Sequence, residues 1–162
     1  MPREGYIKEL REVVGTRPLL LPSVAALIRR DDRVLVGKHH DTQRWVIPGG
    51  AVEPDELPAD CAVREVWEET RLHVEIAGIR GVFGGTPDHR VVYPNGDVCD
   101  YFVTVFDVDI VGGQATPTDE LPELKWVTED ELAELSTLSW ITVLLAHPHG
   151  WEPVTWSPPS GA

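Results

Sequence analysis

No proline or glycine interrupts the chain between Pro58 and Thr70, and a proline at that leading position suits a first helical turn, where its missing N–H costs nothing. The spacing predicts a helix from about Leu57 to Leu72. At about 100° per residue, Ala59, Ala62, Val63, Val66 and Thr70 share one side of it, and that side must be buried against another element. A helix of this kind cannot stand alone, so the rest of the chain has to supply the surface it packs on.

The runs on either side of it read as strands. Ser23–Arg29 and Arg33–Lys38 flank the turn signal Asp31-Asp32 and predict a hairpin. Further strands are expected at Val74–Ile76, Ile79–Phe83, Val91–Tyr93, Val98–Val108 and Lys125–Val127, with Pro94-Asn95-Gly96-Asp97 as a turn. Thr128 followed by Glu131 forms a capping box, which predicts a helix from there to about Leu135, and a last helix is expected over Thr137–Ala146. Near the start, Ile7, Leu10 and Val14 recur at helical spacing, an amphipathic helix that would cover the core or a dimer partner. Strands outnumber helices and helices occur early and late, so the fold class is α/β, a mixed β-sheet with helices on both faces.

The length of 162 residues suits one domain over residues 1–162, with a helix or arm at 1–18 and a tail at 147–162 rich in Pro, Gly and Ser. The first residues are charged and lack the apolar centre of a secretory signal, and no apolar stretch is long enough to cross a bilayer, which points to the cytoplasm and away from a membrane. Cys61 and Cys99 show no metal-binding or redox spacing. A net charge of −13 repels a polyphosphate backbone, so a nucleic-acid polymer is not an expected partner. A small phosphorylated ligand delivered with a divalent metal is compatible with it.

Glu65, Glu68 and Glu69 crowd one edge of the predicted helix, beside its apolar side. Charge runs are most often solvated faces. Like charges at i,i+4, such as Glu65 and Glu69, nonetheless repel by a few tenths of a kcal/mol, and Arg64 can pair with Glu68 but cannot satisfy three carboxylates. Hard divalent cations prefer carboxylate oxygens held on a rigid framework. The turn Pro48-Gly49-Gly50 ahead of the helix can bring a backbone carbonyl close to the same point. The pattern leaves a solvated face and a metal site as equal alternatives.

Gly50, Glu56, Arg64, Glu65, Val66, Glu68, Glu69 and Leu72 fall in the register of the Nudix box, and the chain resembles the Nudix hydrolase family (MutT-like). Eight spaced matches in one segment make a specific signal. Arg71 departs from the box, which has Gly there; Asp55 and Leu57 are softer departures. The likeness extends to the preceding hairpin and to Trp126–Leu132, most of residues 20–135. It implies a Nudix-type α/β/α sandwich and a pyrophosphohydrolase that uses Mg²⁺ or Mn²⁺ on a nucleoside diphosphate-linked or nucleoside triphosphate substrate, by water attack on phosphorus. Carried over by position, the metal ligands would be the Gly49 carbonyl, Glu65, Glu68 and Glu69. Arg64 would orient the glutamates, and Gly50, Glu53 and Glu56 would support them. Glu120 is the expected extra acid from the loop before the last strand, with Glu123 in reserve, and Glu68 or Glu120 would be the general base.

The substrate side is read from residue type. Aromatics on strands are more often core than ligand contacts and single cations more often surface; among them Arg44, Trp45 and Tyr93 are the expected substrate contacts. The alternative function is a Nudix-fold module that binds a nucleotide without hydrolysis, and a third reading is an acidic cation-binding protein. The N-terminal helix makes a homodimer an expected assembly.

Overall fold

The computed structural model describes residues 5–85 and 89–145. In chain order the elements are α1 (Tyr6–Val14), β1 (Leu19–Arg30), β2 (Arg33–Lys38), β3 (Trp45–Val46), β4 (Gly49–Ala51), α2 (Pro58–Thr70), β5 (Leu72–Phe83), β6 (Arg90–Val92), β7 (Val98–Gly113), β8 (Glu123–Val127), α3 (Glu129–Ala133) and α4 (Ser139–Leu145). The expected tail at 147–162 and the end of the last predicted helix at Ala146 lie outside the described residues.

Asp31, in the left-handed region at φ 54°, turns β1 into β2 with Arg30 opposite Arg33, as the Asp31-Asp32 signal predicts. β1 begins four residues earlier than expected because nearly its whole length pairs in parallel with β7, from Leu19 against Cys99 to Ile28 against Val108. That partner is remote in sequence, so no local signal marks it. On its other side β1 pairs antiparallel with β4 through Ser23–Ala25, then with β2. The sheet runs β3-β2-β1-β7-β5, with β8 on β2 and β6 on β7, and is mixed as expected. The strands expected at Val74–Ile76 and Ile79–Phe83 are one strand, β5, which follows β7 through register shifts at Ile76/Gly78 and Ile79/Gly81. Bulges of this kind keep pairing alive across the break.

Alternation along β1 sends Val24, Ala26 and Ile28 to one face and Ala25 and Leu27 to the other. The first face meets Cys61, Ala62 and Val66 of α2, and the second meets Leu132, Ile141, Leu144 and Leu145 of α3 and α4. Helices therefore cover both faces, which is the α/β/α arrangement. α1 buries no residue fully. It is held by Arg11, whose guanidinium donates to the Arg17 carbonyl at 2.6 Å and the Val98 carbonyl at 2.7 Å.

One local prediction is met in detail and one is corrected at its end. Thr128 Oγ1 accepts the Glu131 N–H at 3.2 Å while Glu131 Oε2 accepts the Thr128 N–H at 2.8 Å, the reciprocal capping box at the start of α3. α2 ends at Thr70 rather than Leu72 because Arg71 takes the left-handed conformation, φ 62° and ψ 15°, and its N–H bonds back to the Trp67 carbonyl. Arg71 thus performs the backbone role of the Gly that the box has there, at a steric cost that a Cβ adds. No described helix is long and apolar enough to cross a membrane.

Candidate active site

Pro48 closes the short β3, and its carbonyl accepts the Ala26 N–H at 2.8 Å, which lays Gly49 and Gly50 directly against β1. A Cβ at Gly49 would collide with the Val24 carbonyl, and one at Gly50 would lie 2.6 Å from the Glu65 carboxyl carbon. The two glycines are what allows β1, the turn and the acidic edge of α2 to approach one another.

Two of the three glutamates on that edge are buried, while the Glu68 side chain is 49% exposed. Glu69 is 1% exposed and accepts the Gly49 N–H at 2.9 Å. Glu65 is 9% exposed and accepts Arg64 Nη1 at 2.8 Å. Arg64 also binds both oxygens of Glu56, at 2.7 and 2.9 Å, and donates to Glu68 at 3.1 Å and to the Cys61 sulfur at 3.3 Å. One guanidinium thus holds three glutamates, more than the single Glu68 pairing that helical spacing suggests. Glu53 contributes through its backbone, whose N–H donates to Glu56 at 3.2 Å, rather than through its carboxylate.

The electrostatics follow from this placement. Hydrogen bonding to Arg64 pulls the Glu56 carboxyl down to about 2. Burial pushes Glu65 up to about 7, against the pull of Arg64 and with help from the charges of Glu120 and Glu68. Burial, then Glu120, pushes Glu69 well above the ordinary carboxylate range, and the Gly49 N–H only partly offsets this. Without a bound cation, burial and the neighbouring acids both disfavour ionisation of Glu65 and Glu69.

Glu120 reaches this group because the loop carrying it is fastened to the end of α2. Thr118 Oγ1 donates to the Glu69 carbonyl at 3.1 Å, the Thr116 N–H donates to the Thr70 carbonyl at 2.9 Å, and the Glu120 carbonyl accepts the His40 N–H at 3.0 Å. Glu123, the reserve, is instead on β8 and pairs with Lys125 at 3.1 Å. Among the described residues no three Asp, Glu, His or Cys side chains converge as they stand on a metal-sized position, since Arg64 takes oxygens of Glu65 and Glu68 and Glu69 faces the Gly49 N–H. The donors are nevertheless all oxygen, partly desolvated and in excess of cations, which is the chemistry of a hard divalent ion.

A cleft of about 660 Å³ opens beside the turn. Gly49, Gly50 and Glu120 line one part of it, and Tyr93, Tyr101 and Trp140 another; Arg44 is also on its wall. The expected substrate contacts Arg44 and Tyr93 therefore border the cleft. Trp45 does not: it is 7% exposed and packed in the core below α3 and α4, with Lys125 Nζ 4.5 Å from its ring centre. The bridge between Trp45 and Thr137 and the β2 pairing fix it there, contacts that its residue type could not reveal. Sequence reasoning also passed over Trp140 and His89, whose rings stack at 5.8 Å on the cleft wall. It gave Cys61 no role, although its thiol sits inside the Arg64 network and donates to the Ala51 carbonyl at 3.4 Å. None of these three residues carries a spacing signal.

The fold and site define an α/β/α sandwich with a mixed sheet and a glycine turn laid on the acidic edge of a helix, and the likeness to known proteins gives its family. The model of the NUDIX domain matches residues 19–147. A "MutT-like protein" of Streptomyces ambofaciens is 35% identical over 130 residues, 80% of this chain and 77% of that protein. The human "Diphosphoinositol polyphosphate phosphohydrolase 3-alpha" is 41% identical over 64 residues, 38% of this chain and 39% of that protein. The crystal structure of a MutT protein from Methanosarcina mazei Go1 superposes with a TM-score of 0.67 at 24% identity, over 81% of this chain and 94% of that one. The chain belongs to the Nudix hydrolase family.

Proposed function

We propose that this chain is a divalent-metal-dependent pyrophosphohydrolase that cleaves a phosphoanhydride bond of a small phosphorylated substrate, a nucleoside diphosphate derivative or a nucleoside triphosphate. The observation that carries the reading is the pair Glu65 and Glu69, buried with their carboxyls raised directly behind the two glycines that line the cleft. A fold gains nothing from desolvated carboxylates unless a cation or a reaction uses them.

In this reading Glu65, Glu68, Glu69 and the Gly49 carbonyl hold Mg²⁺ or Mn²⁺. The bound ion would neutralise pyrophosphate oxygens and make a water acidic enough to attack phosphorus. Arg64 keeps the glutamates in place, and its hold on Glu56 at 2.7 Å anchors the whole set to the segment before α2. Gly50 leaves space for the Glu65 carboxylate. Glu120 serves as the general base that accepts the proton of the attacking water: it borders the cleft with Gly49 and Gly50, whereas one Glu68 oxygen is engaged by Arg64.

Purified protein with Mg²⁺ or Mn²⁺ is expected to release a phosphate-bearing product from at least one member of a panel of ADP-ribose, dinucleoside polyphosphates, nucleotide sugars and nucleoside triphosphates, and to stop when EDTA is added. Glu69→Gln should lower kcat by about a hundred-fold or more, the scale of losing a group that stabilises transition-state charge. Silence across the panel, or full activity in Glu69→Gln, would sink the proposal. Tight nucleotide binding without turnover would favour the non-hydrolysing module instead.

A further inference from the structure

The cleft has two unlike ends, and the second is not part of the acidic machinery. On β1, Ala25 pairs with Gly49 and Leu21 pairs with Tyr101. Those positions are four residues apart, roughly 13 Å along the strand direction at about 3.3 Å per residue. Whatever meets Tyr101 is therefore not the pyrophosphate held at the Gly49 end but the group attached to it.

At this end the Tyr93 and Tyr101 hydroxyl oxygens lie 2.8 Å apart. Each hydroxyl brings one proton, and the contact between them consumes one. Tyr101 sits deeper, on β7 beside the buried Cys99, and Tyr93 stands at the start of the Pro94–Asp97 turn on the cleft wall. When Tyr101 donates to Tyr93, the Tyr93 proton is left to be offered into the cleft. Around the pair the wall is apolar or aromatic, with Val46, Val103, Leu138 and Trp140. A hydroxyl set among apolar and aromatic side chains is how a pocket reads a hydrogen-bonding group.

The charges at this wall select further. Of the described arginines lining the cleft, Arg90 gives its guanidinium to Asp100 in two bonds of 2.7 and 2.8 Å, which leaves Arg44, and the cleft lining also carries the carboxylates of Asp41 and, at the Gly49 part, Glu120. One available guanidinium facing two carboxylates does not suit a ring that carries many phosphates.

We infer that Tyr93, oriented by Tyr101, is a specificity-determining residue that donates a hydrogen bond to an uncharged, flat organic group attached to the pyrophosphate, and that a polyphosphorylated inositol is not the substrate. The inference rests on the hydrolase reading for which end holds the pyrophosphate. Tyr101 is a positioning residue: it touches Tyr93.

The test compares wild type, Tyr93→Phe and Tyr101→Phe with ADP-ribose, inorganic tripolyphosphate and a diphosphoinositol polyphosphate in Mg²⁺. Each protein is also titrated with AMP in EDTA and followed by tryptophan fluorescence, to which Trp140 on the cleft wall contributes. In Tyr93→Phe the KM for ADP-ribose should rise about ten-fold, with kcat changed far less, and the AMP Kd should rise by a similar factor, the worth of one neutral hydrogen bond. Tyr101→Phe should weaken both by a smaller factor. Wild type should turn over ADP-ribose faster than the inositol compound. If nothing is hydrolysed the hydrolase reading falls, and the AMP titration still decides the role of Tyr93. Equal AMP binding by wild type and Tyr93→Phe, no AMP binding by either, or preference for the inositol compound would overturn the inference. Thermal melts of both variants, expected within a few degrees of wild type, separate a local loss from misfolding.

Discussion

Raising the pH of the metal-free protein from 5 to 8 should destabilise it. Glu65 has its carboxyl raised from 4.5 to about 7, chiefly by burial. A raised carboxyl binds its proton more tightly in the folded than in the unfolded state, so its contribution to stability is fully present below pH 4.5 and is lost as pH rises through about 7. The whole effect is on the order of 3 kcal/mol, and about 2.5 kcal/mol of it falls between pH 5 and pH 8. For a domain of this size that corresponds to a drop in Tm of roughly 5–10 °C. Glu69 acts in the same direction. Glu56, lowered to about 2 by Arg64, acts in the opposite direction but only below pH 4.5, outside this window. Self-repulsion of a chain of net charge −13 also grows with pH, and salt screens it. Thermal melts in EDTA and 0.15 M salt at pH 5, 6, 7 and 8 measure the slope. Glu65→Gln, whose amide oxygen still accepts from Arg64, should show a slope reduced by the Glu65 share, and saturating Mg²⁺ should flatten the wild-type curve by binding the ionised form. A wild-type Tm that stays level or rises from pH 5 to pH 8, or an unchanged slope in Glu65→Gln, would refute the reasoning.

Gly50→Ala places a methyl 2.6 Å from the Glu65 carboxyl carbon; the displaced glutamate should cost about 1–3 kcal/mol of stability, read by urea denaturation, and more than ten-fold in turnover. Arg71→Gly relieves a left-handed non-glycine residue at φ 62° and should raise stability by about 0.5–1 kcal/mol, less whatever its contact with the Trp67 ring at 5.4 Å contributes; a lower Tm would show that contact to dominate. Thr128→Ala removes the acceptor of the Glu131 N–H and should cost about 1 kcal/mol without altering KM, measured by denaturation and steady-state kinetics.

The extent of what was readable differs element by element. The α2 helix, the Asp31 turn, the Pro94–Asp97 turn and the Thr128 capping box were legible because each is decided by residues within a few positions of one another. The approach of the candidate site residues is legible to the same degree: Gly49, Gly50, Arg64, Glu65 and Glu69 belong to one continuous segment, and their spacing around a turn and a helix implies that they meet. Local pattern splits β5 into two strands because the register shifts that join them depend on β7 as a partner. Trp45 was read as a ligand contact because an aromatic beside a glycine turn carries no mark of which face it will take.

By itself the sequence determined the helix, its acidic edge, the turn ahead of it and the family, all consequences of short-range spacing. The tertiary structure alone decided that Glu65 and Glu69 are buried while Glu68 stays exposed, that Arg64 gathers Glu56, Glu65 and Glu68, and that Glu120 is brought close enough for its charge to act on Glu69, on a loop fastened by Thr118. It also decided that Tyr93 meets Tyr101 at the far end of the cleft. Desolvation and charge coupling depend on distance through space, and distance through space between remote segments exists only once β1 has paired with β4 on one side and β7 on the other.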